Sequence, residues 1–286
     1  MHFRPAEEPP TPPSQHVLLA GCGDLGAAVG QLLHKAGREV TGVRRTPQAG
    51  QLPFPVIGMD LADPGAQQLP AADAVVIALT SDTHDAAGYE RAYRRTLRGL
   101  AKALPELPQR VVLVSSTGVL GEHTGQVVTE ETEPQPERAT GQVLLAAEHD
   151  VQELFNSVTI LRAAGIYGPG RTRIIKQVLN GTPLDHRRMT NRIHRDDLAA
   201  IIVRLLDAAA PPALLHAVDT QPAPLGEVAE FLAGLLEVHV PEDVGSDRPQ
   251  GKTIDGAALQ RFLNGDRLQF PTYREGYSDV VQSMRG

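Results

Sequence analysis

One short segment limits what this chain can fold into. Residues 17–37, VLLAGCGDLGAAVGQLLHKAG, run from an apolar stretch through Gly21, Gly23 and Gly26 into a segment of helical period that stops at Gly37. That order predicts a strand, a tight turn and a helix. In GCGDLG, Gly21 permits the turn, Gly23 lets a pyrophosphate approach the backbone, and Gly26 lets helix and sheet pack closely. Asp24 and Leu25 open the helix, whose free N–H groups and positive dipole end favour phosphate. Placed between a strand and a helix, the glycine pattern predicts a dinucleotide site. Cys22 has two readings: a thiol acidified near the helix N-terminus, or a small residue filling a tight loop.

The rest of the chain continues the alternation. Strands are predicted at residues 16–21, 39–45, 74–80, 110–116, 158–168 and 213–219, and helices at 24–36, 87–104, 140–155 and 196–209. Near-continuous Val/Ile/Leu strands separated by helices predict an α/β fold, a Rossmann-type doubly wound parallel sheet covered on both faces. The expected organisation is a disordered, proline-rich leader over 1–15, a dinucleotide-binding domain over 16–165 and a smaller C-terminal substrate lobe over 166–286. Residues 194–219 of that lobe return to the Rossmann core. The leader carries five prolines between residues 5 and 13 and joins neither helix nor sheet.

Charge and cysteine content narrow the function class. A net charge of −7 argues against a general nucleic-acid binder. The single cysteine excludes an intramolecular disulfide and fits a reducing cytoplasm. The longest apolar runs are too short to span a bilayer. The ten histidines show no metal-ligand spacing, so no metal site is expected.

At the end of the second strand, where NAD sites place an acidic residue, stand Arg44 and Arg45. A guanidinium pairs with a 2′-phosphate that a carboxylate would repel, so the expected cofactor is NADP, with NAD the alternative. The competing reading is a pair of solvated arginines.

With these residues the chain resembles the extended short-chain dehydrogenase/reductase superfamily, also called the NAD-dependent epimerase/dehydratase family. The resemblance runs from about residue 16 to 286. Its pieces are GCGDLG; MDLAD (59–63), like the family's adenine-contacting segment; VLVSSTGVLG (112–121), like its serine strand; LRAAGIYGPGR (161–171); and NRIHRDDLAA (191–200). The tail LQFPTYREGYSDVV and the glycine spacing resemble an atypical bacterial branch. The resemblance implies cofactor contacts at Asp60, Leu61, Leu79 and Thr80, and substrate contacts at Ser116, Thr117, Tyr167, Arg171 and Arg173.

The family's catalytic Ser, Tyr and Lys align with Ser116, Thr140 and Leu144. No Tyr-x-x-x-Lys occurs anywhere among the five tyrosines and four lysines. Thr140 can hydrogen-bond a substrate but cannot act as a phenol. Tyr167 is the alternative acid, with packing or substrate contact as its other readings. Glu122 and His123 read as solvated loop residues that could also reach a pocket. His194 reads as structural and Asp196 as a helix N-cap. Arg171, Arg173, Arg187, Arg188, Arg192 and Arg195 either line an anion-binding cleft or form a solvated basic face. Two functions stay open: an NADP-dependent oxidoreductase or epimerase acting on a small polar, nucleotide-sugar-like substrate, and a non-catalytic NADP(H)-binding sensor or scaffold. Either is expected to be a monomer or a homodimer without nucleic-acid or membrane partners.

Overall fold

The structure is a computed structural model and describes residues 16–47, 50–121, 125–245 and 250–285. The expected leader and the loop residues Glu122 and His123 lie outside the described residues.

Apolar segments that alternate with amphipathic helices have one economical arrangement, a parallel sheet with helices on both faces. Seven parallel strands form it. In chain order, β1 (His16–Ala20), β2 (Glu39–Arg44), β3 (Val56–Gly58), β4 (Ala74–Ile77) and β5 (Arg110–Ser116) precede the two-residue β6 (Val127–Val128). Then come β7 (Val158–Ala163), β8 (Gly165–Tyr167), β9 (Met189–Thr190), β10 (Arg192–His194), β11 (Leu214–Ala217), β12 (Ala223–Pro224) and β13 (Thr253–Ile254). The main sheet runs β3-β2-β1-β4-β5-β7-β11, so the chain reverses direction across the sheet between β1 and β4. Ligands bind at such a crevice in open α/β sheets, beyond the carboxyl ends of the strands.

On one face α1 (Asp24–Lys35) and α6 (Arg195–Asp207) pack Val29, Leu33, Ile202 and Leu205 against Val17, Leu19 and Val76. The other face is covered by α3 (Thr96–Ala103) and α4 (Ala139–Leu154), with Leu97, Leu100, Ala147 and Val151 on Leu18, Val75 and Leu113. The helix expected at 87–104 is not uniform. The short α2 (Ala86–Tyr89) passes into a π-helical segment, Glu90–Arg95, before α3 begins. Such π segments recur at functional sites.

A separate core lies in the C-terminal part, where α5 (Arg173–Leu179), α7 (Leu225–Leu236) and α9 (Tyr273–Arg285) enclose Ile175, Val228, Leu232, Tyr273 and Tyr277. The late chain is not confined to this lobe. Leu259 and Leu263 of α8 (Ala257–Leu263), with Leu268, join the core on the α1 and α6 side of the sheet.

Two local expectations are corrected. The strand expected over 158–168 breaks at Ala164: β7 belongs to the main sheet, whereas β8 pairs with β10 outside it. The cap of α6 is His194 rather than Asp196, since the His194 ring accepts the Asp196 N–H.

Candidate functional site

The β1–α1 turn requires its glycines at two points. Gly21 has φ +93°, and a Cβ there would lie 2.3 Å from the Ala78 carbonyl oxygen. A Cβ on Gly26 would lie 2.5 Å from the Gly21 carbonyl oxygen, so this glycine packs the helix onto its own turn. Gly23 differs: it is exposed, and nothing stands within 4 Å of where its Cβ would be. As the N-cap of α1 it offers no side chain, and the first N–H groups of the helix lack a side-chain cap. The turn is therefore rigid from behind and open in front, which suits a pyrophosphate. Cys22 is buried, packs against Gly42, and has its thiol pKa pushed up by burial, so it fills the loop and is not an acidified nucleophile.

Two cavities meet at this turn. The first, about 510 Å³, is lined by Gly21, Gly23, Arg44, Arg45, Asp60, Leu61, Leu79 and Thr80, together with Asp82, Arg91 and others. The second, about 320 Å³, takes in Gly23, Asp24, Leu25, Leu79, Thr80, Tyr93, Ser115, Ser116, Ile166 and Arg171. Because Gly23, Ala78, Leu79 and Thr80 border both, they form one trough across the carboxyl ends of the central strands.

Ion pairs organise the rim. Arg45 grips Asp82 through two hydrogen bonds of 2.5 and 2.6 Å, which hold the guanidinium pKa up and the carboxyl pKa down. Arg91 pairs with Asp60, whose other oxygen accepts the Ala62 N–H at 3.0 Å. At the far end, Arg171 and Arg195 reach Asp24 at 2.7 and 2.8 Å, joining the later chain to the first residue of α1.

The expected catalytic residues separate. Ser116 lines the second cavity and its hydroxyl accepts the Gly118 N–H at 3.0 Å. Thr117 is buried in the following 3₁₀ turn and is not among the residues lining either cavity. Thr140 opens α4 and also lies outside that lining. Leu144, where the resemblance expects lysine, is buried in an apolar cluster with Val119, Leu120 and Ile254. One turn further on, Glu148 is 1 % exposed, accepts the Ser115 hydroxyl and is held by the Arg162 guanidinium at 2.7 Å.

Tyr167 is a correction. Only 3 % exposed, it stacks on Tyr277 at 4.4 Å, and its hydroxyl donates to the Thr272 carbonyl. Burial raises its pKa, and it lies outside the residues lining either cavity, so the fold does not bring it to Ser116 as expected. The phenol that does line the cavity with Ser116 is Tyr93, presented by the π-helical segment and donating to the Leu79 carbonyl at 3.1 Å. Burial and the neighbouring Tyr89 push its pKa up to about 12. Sequence reasoning passed over Tyr93 because no lysine follows four residues later. It also missed Asp82, Arg91 and the full reach of Arg195. The signal available for Tyr93 was its place in the helix after a buried strand that ends at the crevice.

The arginine-rich stretch is neither a single face nor a single cleft. Arg171 and Arg173 line a groove of about 440 Å³ with Lys176, and Arg173 is absent from the Ser116 cavity. Arg192 is buried over the Tyr273 ring at 5.5 Å. His194 is fully buried between Tyr167 and Phe270, and burial lowers its pKa, as suits a structural residue.

Residues 21–209 match the family model described as NAD(P)H-binding. Protein YeeZ of Escherichia coli K12 is 29 % identical over 268 residues, covering 89 % of this chain and 96 % of its own. A Methylobacillus flagellatus protein, provisionally assigned as an NAD-dependent epimerase/dehydratase, is 33 % identical. Its TM-score is 0.75, with 95 % of this chain and 99 % of that one covered. The human epimerase family protein SDR39U1, solved with NADPH, shares the fold at 20 % identity and a TM-score of 0.77, covering 93 % of this chain and 99 % of its own. With its glycine turn at the crevice and its likeness extending over nearly the whole length, this chain belongs to the NAD(P)H-binding family, within the extended short-chain, NAD-dependent epimerase/dehydratase group.

Proposed function

We propose that the protein is an NADP(H)-dependent oxidoreductase or epimerase acting on a small polar substrate in the cytoplasm, as a monomer or a homodimer. The observation that carries the cofactor choice is the placing of Arg44 and Arg45 on the same cavity as the glycine turn. Arg44 makes no ion pair among the described residues and offers an unneutralised guanidinium there. A charge-assisted contact of this kind contributes ~1.5–3 kcal/mol. The NADPH bound to SDR39U1 supports the same choice by analogy of fold.

Bound NADPH would supply a hydride in the Ser116 cavity. This chain's own residues would orient the acceptor and supply a proton. Ser116 is placed to hold a carbonyl oxygen. Tyr93, kept protonated by its high pKa, is the donor that replaces the family's missing α4 phenol. Arg171 borders the same cavity, and an acidic substrate would have to compete with Asp24 for its guanidinium.

The second reading, a non-catalytic sensor, draws support from the burial of Leu144. Incubation with NADPH and a panel of aldehydes, ketones and 4-keto sugar nucleotides, followed at 340 nm, separates the two. The enzyme reading expects NADPH oxidation that Tyr93→Phe slows by ~10²–10⁴ while NADPH affinity is kept. Tight NADPH binding with no turnover of any acceptor favours the sensor.

A further inference from the structure

The rim of the first cavity already contains an anion. Asp82 lies in the loop between β4 and α2, and its two oxygens meet the two terminal nitrogens of Arg45 in a bidentate fork. That loop is held in shape: Asp85 caps α2 through the Gly88 N–H at 2.7 Å and accepts the Thr83 hydroxyl at 3.0 Å. The Arg45 side chain is 55 % exposed and that of Asp82 67 %, so the contact can open without disturbing the core. Both residues line the cavity that also holds Arg44 and the glycine turn.

A planar carboxylate and a phosphate use the same guanidinium geometry. We propose that Asp82 is an internal competitor for the cofactor's 2′-phosphate. In the free protein its carboxylate occupies the Arg45 fork, and a 2′-phosphorylated adenosine must displace it. This rests on the reading that Arg44 and Arg45 face the 2′-position. The phosphate succeeds because it carries the larger charge and is tethered by the rest of the dinucleotide. An unphosphorylated ribose has no group that breaks the pair. Asp82 thus reduces the discrimination that the two arginines alone would give, and tunes the site between NADP and NAD.

Exposed ion pairs are weak and screened by solvent, so removing the competitor is worth at most about fivefold in affinity. The test is calorimetric titration of wild type, Asp82→Ala, Arg45→Ala and the double variant at about 0.15 M salt. The probes are adenosine 2′,5′-bisphosphate, AMP, NADP⁺ and NAD⁺. The expected result is that Asp82→Ala tightens adenosine 2′,5′-bisphosphate and NADP⁺ about threefold to fivefold and changes AMP and NAD⁺ by less than about twofold. In the Arg45→Ala background the same substitution should do nothing, because there is no fork to free. The proposal is overturned if Asp82→Ala leaves the 2′-phosphorylated probes unchanged. Equal tightening of AMP, or a gain that persists without Arg45, also overturns it by showing general relief of negative charge. If wild type favours NADP⁺ and Asp82→Ala changes nothing, the competitor falls and the cofactor reading stands. If wild type does not favour NADP⁺ but Asp82→Ala makes it do so, the competitor stands and the cofactor reading falls.

Discussion

Replacing Asp219 with Asn should make this protein more stable, and increasingly so as the pH rises. Asp219 follows β11, is 2 % exposed, and has one oxygen accepting the Gln221 N–H at 3.1 Å. Its other oxygen has no hydrogen-bond partner among the described residues. Burial, opposed by the Gln221 N–H hydrogen bond and by Arg192 and aided slightly by Asp197 and Glu275, raises its pKa from 3.8 to about 7. Below about pH 4 the folded and unfolded chains both hold the proton. Between about 4 and 7 the folded chain keeps a proton that the unfolded chain releases, so stability falls as pH rises through this window. A shift of ~3 units at ~1.4 kcal/mol each costs about 4 kcal/mol once the pH is well above 7. Asn mimics the protonated acid in shape and carries no charge. Its advantage should therefore grow by roughly 2–3 kcal/mol between pH 5 and pH 8, or roughly 5–10 °C in Tm. Thermal unfolding of both proteins at several pH values measures this directly. His216, whose pKa burial lowers to about 4, gives wild type an opposite slope, with stability lost as pH falls from about 6.5 to 4. That slope is common to both proteins and cancels in the difference. An Asp219→Asn variant no more stable at pH 8 than wild type would mean that the Asp219 carboxylate carries no burial cost.

Gly23→Val should abolish NADPH binding by calorimetry while leaving the melting curve nearly unchanged, because the side chain would enter only the open front of the turn. A folded variant that binds normally would remove this turn as the phosphate site. Glu148→Ala should lower stability by ~3–5 kcal/mol in chemical denaturation, since it leaves the buried Arg162 guanidinium uncompensated. A loss below about 1 kcal/mol would mean that water reaches Arg162. If Tyr93 donates the proton, carbonyl reduction should be flat between about pH 6 and 9, because a phenol with a pKa near 12 stays protonated throughout. A steep fall within that range, measured by initial rates, would assign the proton to another group.

What was legible in the sequence was what is local. The glycine turn is set by neighbouring residues, and Arg44 and Arg45 are fixed by a short strand beginning shortly after α1. The buried strands declared themselves by continuous apolar runs, while the edge strand β3, three residues long and not buried, left no such pattern. Tyr167 misled because its position just after a strand pointed to the cleft. The break at Ala164 carries β8 out of the main sheet, and the distant Tyr277 then buries the phenol. The π-helical segment keeps a broadly helical composition, so periodicity alone merged it with its neighbours. The pairs Arg45–Asp82, Arg91–Asp60 and Arg171–Asp24 join residues from parts of the chain far apart in sequence. No local pattern announces them, because each pair exists only once the sheet brings those segments together.

The most direct test of the cofactor site is a crystal structure with NADPH bound. The pyrophosphate should lie over Gly23 at the N-terminus of α1, the 2′-phosphate on Arg44 and Arg45, and the nicotinamide in the cavity that Ser116 and Tyr93 line. A dinucleotide bound away from the β1–α1 turn, or with its 2′-phosphate turned away from both arginines, would contradict this placement.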